Sequence, residues 1–316
     1  MKALFIGKNG LRGGWKAAFV VMAASALLGA VGWALSAILA RLIPLWGVNA
    51  RNVALAPTWL RLLLAHRAEL IDIVRFTLLW PLSLALMRLL RMGKLAWRGL
   101  LRGAFAGGAV AALVLGALFL IDALRLGWPL ARPRLSFEIL IPLAYQFARA
   151  LGGATLFLGA VPAAFDHYPP IRRAALGGVI FGALGPLGPL GPLGAGSIGI
   201  GAVPSGLMLA LNAALVGFTA LSLGRTGCAL GYTFFLSFAL YVLMGANGAS
   251  SAGLYESYPA AHDLLSGAAQ GPMGGLMMAL ALGALGGALA YKMMKTMKTT
   301  RLSDKPRKNG ENNGST

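Results

Sequence analysis

Apolar residues come in long runs along this chain, and polar residues gather between them. Eight runs stand out, at about 17–40, 70–87, 103–124, 137–161, 174–184, 206–223, 228–244 and 273–291. A helix needs about 20 apolar residues to cross a hydrocarbon layer of ~30 Å. Most runs reach or approach that length. The pattern therefore predicts an all-α polytopic membrane protein with about eight transmembrane helices. Residues 1–291 form the membrane domain on this basis. Residues 292–316, rich in Lys, Arg, Asn, Gly, Ser and Thr, are expected to form a disordered basic tail.

Composition agrees with that pattern. The chain is 58% hydrophobic and 12% charged, with a mean hydropathy of +0.73. Soluble domains carry about 25% charged residues. The first run follows Lys2, Lys8, Arg12 and Lys16 and exceeds the length of a cleavable signal core, so it is expected to stay as an anchor. Cys228 is the single cysteine, which excludes an internal disulfide.

The net charge of +19 does not indicate nucleic acid. The Lys and Arg residues flank apolar runs, where lipid headgroups select them, and no water-exposed basic domain is present. The bilayer is the expected partner. With eight spans, nineteen Lys and Arg residues fall on the side of the termini and seven on the other. That bias predicts cytoplasmic termini in a bacterial inner membrane.

Few polar residues enter the runs. Asp72 and Arg75 lie three apart near the start of the second run, on one helix face. They can neutralise each other, or line a polar path together with Arg149. Arg149 is the only charge placed deep in the bilayer, so it must face protein, water or a snorkelling route. Between Ile139 and Tyr255 the only acidic residue is Asp166.

Other constellations carry weaker chemistry. Glu256, His262 and Asp263 share a 28-residue loop between the last two runs, but their spacing matches no standard zinc signature. Asp166–His167 could exchange protons, beside Pro169–Pro170. Gly194, Gly196, Gly199 and Gly201 lack the Lys-Ser/Thr pair of a phosphate cradle. No metal or cofactor is expected. The three Gly-Pro-Leu triplets from Gly185 to Leu193 cannot continue a helix and predict a loop. Glycines at spacing four, Gly103 with Gly107, Gly178 with Gly182 and Gly283 with Gly287, suit close helix contact, within the chain or with a partner.

Several segments resemble the CAAX-protease and bacteriocin-processing (CPBP) family of intramembrane proteases. Arg98-Gly99-Leu100-Leu101-Arg102-Gly103 is similar to the approach to that family's core. Leu156-Phe157-Leu158-Gly159 resembles the end of its Glu-Glu-x-x-x-Arg-Gly motif, and Phe181 with Gly185 matches the spacing of Phe-x-x-x-His. Arg225-Thr226-Gly227-Cys228 resembles the Arg-Thr-Gly-Ser turn that precedes His-x-x-x-Asn. The resemblance spans about 97–243.

It implies a CPBP-like helical core without the family's catalytic groups. The two glutamates fall on Gly153 and Ala154, and the motif arginine on Leu158. The histidines fall on Gly185 and Leu236, and the asparagine on Leu240. Gly, Ala and Leu can neither take a proton nor bind a metal. The expectation is a non-catalytic scaffold or subunit that binds another integral membrane protein or a lipidated ligand. The alternatives are an active membrane endopeptidase using Asp166, His167 or Glu256, and a small-molecule transporter.

Overall fold

The computed structural model describes residues 6–7, 10–11, 13–46, 57–92, 95–126, 139–184, 203–244, 257–259, 265 and 272–303. A two-residue ladder, β1 (Ile6–Gly7) with β2 (Gly10–Leu11), precedes the long helix α1 (Gly13–Leu45). Then follow α2 (Thr58–Ala65), α3 (Arg67–Leu89), α4 (Leu100–Leu120) and β3 (Leu124–Leu126). Helix α5 (Leu140–Thr155) passes into a π-helical stretch (Leu156–Ala160) and the short α6 (Val161–Ala163). Helix α7 (Pro170–Leu184) and helix α8 (Val203–Ser222) come next. Helix α9 (Thr226–Ser237) continues as a second π-helical stretch (Phe238–Leu243). Strand β4 (Ser257–Pro259) and helix α10 (Leu276–Ser303) complete the described chain.

Among the described residues, five helices are long and apolar enough to cross a membrane: Gly13–Leu45, Arg67–Leu89, Leu100–Leu120, Thr226–Leu243 and Leu276–Thr299. This assigns the chain a membrane location and lipid contact, with a count below the eight read from apolar runs. The difference lies in the middle of the chain. The helical stretch Leu140–Ala163 is continuous, passing through a π segment at Leu156–Ala160, but it carries Gln146 and Arg149, which lower its apolar character. Helix α7 has 15 residues, or about 22 Å at 1.5 Å per residue. Helix α8 has 20 residues and is apolar over Leu207–Ser222.

Two other expectations change. The segment assigned to a disordered tail from residue 292 is helical as far as Ser303. Met293, Met294 and Met297 are good helix formers there, and Lys295 and Lys298 approach a helix end where positive charge is favoured. The long loop between the last two apolar runs is not wholly irregular either. Its residues 257–259 pair antiparallel with β3, Leu124 opposite Pro259 and Leu126 opposite Ser257.

The closest packing joins α4 to α9. A Cβ added at Gly103 would lie 1.8 Å from the carbonyl oxygen of Cys228, and one at Gly107 2.3 Å from that of Tyr232. On the other side, a Cβ at Gly231 would lie 2.1 Å from the Leu100 oxygen. Backbone meets backbone because neither helix carries a side chain at the crossing. In lipid, where apolar burial alone does not drive helices together, such close packing is a main source of association. The entry to this pair is held by the amide of Gly227, which donates to the Ala96 carbonyl at 2.9 Å. Gly99 starts α4 at φ 93°, a left-handed conformation that favours glycine.

The remaining helices assemble around that pair. Gly178 and Gly182 of α7 approach Ala210, Ala214 and Phe218 of α8. Gly152 of α5 packs on the Phe76 carbonyl of α3. In contrast, Gly108, Gly283 and Gly287 face open space. Leu156–Val161, Phe181, Leu236, Leu240 and Met278 are buried at the centre.

Outside the spans, Asp122 and Arg125 form a bidentate pair at the end of α4. The Arg125 hydrogen bond holds the Asp122 carboxyl below its usual 3.8. A lowered folded value means that the pair stabilises the fold above the unfolded value and loses that contribution as pH falls through the folded one. Asp122→Asn is therefore expected to show a slightly smaller loss of melting temperature between neutral pH and about pH 3. The effect is small because both side chains are exposed.

Candidate functional site

Arg149 stands at the centre of the most constrained polar feature. It projects from α5 with 3% of its surface exposed. Its Nη1 donates to Gln146 Oε1 at 3.3 Å, while Nε and Nη2 have no hydrogen-bond partner among the described residues. The Tyr145 ring lies 5.6 Å from the guanidinium carbon. The amphipathic first half of α5 turns these groups inward, toward α7 and α9.

A small cavity collects the side chains around them. Gln146, Arg149, Ala150, Gly153 and Ala154 line it from α5, Phe181 from α7, and Thr233 and Ser237 from α9. Three positions picked out by the protease-like pattern, Gly153, Ala154 and Phe181, thus face one space. Leu236 and Leu240 are buried on the same stretch of chain that carries Ser237, at 1% and 0% exposure. Phe157 meets Phe181 edge-on, with ring centroids 6.1 Å apart. Among the described residues the cavity offers a guanidinium, an amide and two hydroxyls, but no carboxylate, imidazole or thiol that could activate water. The hydroxyl of Thr233 is engaged by the Ala229 carbonyl at 2.9 Å.

Leu158 is buried in the centre and borders a different cavity, of about 220 Å³, with Gly159, Asp166, Arg173, Arg225 and Thr226. A further cleft of about 560 Å³ shares Arg225 and adds Arg102, Cys228 and Lys292. These spaces are basic, with Asp166 their one described acid. Asp166 and His167 approach to 3.9 Å, but both are well exposed. His167 lies against Tyr168 instead of lining either space.

The polar path drawn from Asp72, Arg75 and Arg149 does not form a single cluster. Arg75 Nη1 donates to Asp72 Oδ1 at 2.6 Å, as their spacing predicts, and Arg75 Nε donates to the Leu28 carbonyl of α1 at 2.9 Å. Arg75 also packs on Gly32 of α1. The pair is satisfied against α1, whereas Arg149 faces α7 and α9. Among the described residues no cluster of three His, Cys, Asp or Glu could hold a metal. Gly185, the glycines 194–201, Glu256, His262 and Asp263 lie outside the described residues.

Sequence reasoning missed two structural anchors. Asn212 of α8 is fully buried, and its Nδ2 donates to the carbonyls of Met273 and Gly275 at 2.7 and 3.0 Å. Tyr232 and Thr219 join their hydroxyls at 3.1 Å between α9 and α8. A polar amide inside an apolar run was the available signal for the first.

The fold and site define a helical membrane protein with a small cavity beside a buried arginine among its packed helices. No family model, curated protein or solved structure matches the chain.

Proposed function

We propose that the chain is a non-catalytic, CPBP-like scaffold of the bacterial inner membrane, with both termini cytoplasmic and a hydrophobic membrane partner. One observation carries this proposal. Gly153, Ala154 and Phe181 converge on a single cavity in which no described group can activate water. The π-helical stretches at Leu156–Ala160 and Phe238–Leu243 contain Leu158 and Leu240, and such stretches recur at functional sites. They support descent from a site-bearing core. Replacing buried polar groups by apolar ones can leave a fold intact or more stable.

The small size of the cavity favours a partner outside the core over a lipid chain within it. On α10, Gly283, Ala284, Gly287 and Ala288 form an exposed small-residue face that another helix can approach closely. The test is purification in native nanodiscs, followed by identification of what stays bound. The wild type is expected to retain a membrane protein or lipid-like partner, and Gly287→Leu to lose it without a change in melting temperature. An empty monomer from the wild type contradicts the proposal.

A further inference from the structure

We propose that the cavity beside Arg149 binds a small monovalent anion of about the size of chloride. An arginine stays protonated at every accessible pH, so burial cannot be relieved by losing its charge. Removing a guanidinium from water costs several kcal/mol unless an opposite charge accompanies it. At 3% exposure, Arg149 has one long hydrogen bond to Gln146 and one ring contact with Tyr145. Neither cancels a full positive charge.

The described carboxylates are placed elsewhere. Glu69 pairs with His66, Asp72 with Arg75 and Asp122 with Arg125, while Asp166 is exposed beside His167. Meanwhile Nε and Nη2 of Arg149 are both buried donors without partners among the described residues. Two orphan donors on one edge of a guanidinium form a fork that suits an anion.

The adjoining space limits the guest to a single small ion. The cavity measures about 10 Å³, the lower limit for one water, so a chloride enters only as the surrounding side chains give way slightly. A phospholipid headgroup is far larger. Gln146, Thr233 and Ser237 belong to its lining, although most of the exposed wall is apolar, so the Arg149 fork supplies the main attraction for an anion. A water molecule could fill the volume, but only an anion also neutralises the charge.

The test uses purified full-length protein in nanodiscs of zwitterionic phosphatidylcholine, so that any anion comes from solution. Melting temperature is measured against sodium chloride or bromide, with gluconate holding ionic strength constant. The expected result is a saturable rise of roughly 5 °C at a hundredfold excess over Kd. Arg149→Met, close in volume and uncharged, is expected to fold and lose the halide response. Should Arg149→Met not fold, bromide located by anomalous scattering in wild-type crystals, within hydrogen-bonding distance of Nε, gives the same answer. A wild type that melts alike in halide and gluconate overturns the proposal. So does an Arg149→Met protein that keeps the full halide shift, or a cavity that holds no bromide in the crystal.

Discussion

Gly103→Leu is expected to prevent α4 and α9 from closing and to abolish a folded, monodisperse protein in detergent. At this position even a Cβ would sit 1.8 Å from the Cys228 carbonyl oxygen and 2.8 Å from its Cα. The obstacle is backbone, which cannot rotate away as a side chain can. The cost should exceed about 3 kcal/mol, the upper end of ordinary overpacking. Gly103→Ala should also destabilise, although alanine gains about 1 kcal/mol in helix propensity. Gly108 is the internal control, because nothing lies within 4 Å of its added Cβ. Gly108→Ala should be neutral or stabilise by up to about 1 kcal/mol. Thermal melts of the variants in one detergent decide the matter, and equal effects at Gly103 and Gly108 would refute the close crossing.

Asn212→Asp is expected to be the most damaging single-atom exchange in the chain. The Nδ2 group donates to two carbonyls that lead into α10. A carboxylate there would turn two donors into an acceptor facing two acceptors, in a fully buried position. An unpaired buried charge of this kind costs about 3–5 kcal/mol. Asn212→Leu removes the same hydrogen bonds without adding charge and should cost about 1–3 kcal/mol. The ordering Asp worse than Leu worse than wild type is checked by melting temperature, with protease sensitivity of the 272–303 segment as a second readout. A tolerated Asn212→Asp would mean that α10 is not anchored through this amide.

The membrane character was legible because an apolar run leaves a direct trace in sequence. So was the Asp72–Arg75 pair, since i, i+3 spacing fixes the face regardless of the surroundings. The burial of Arg149 followed from its place in a run, but its direction toward α7 and α9 did not. Spacing four also marked Gly103, Gly107, Gly178, Gly182, Gly283 and Gly287 alike. Only the fold separates those that meet a neighbouring backbone from the last two, which face outward. The pairing of Leu124–Leu126 with Ser257–Pro259 joins segments more than 130 residues apart. No local pattern announces such a contact. The span count differed because an apolar run does not show how short its helix is, as at Pro170–Leu184.

The proposed scaffold role rests on a cavity beside Arg149 in which no described group can activate water. The most direct measurement is cleavage by the reconstituted protein of a fluorogenic set of transmembrane and prenylated peptides. The account predicts no product beyond that of empty nanodiscs, with or without added zinc. Turnover that disappears in Asp166→Ala or Glu256→Ala would contradict it.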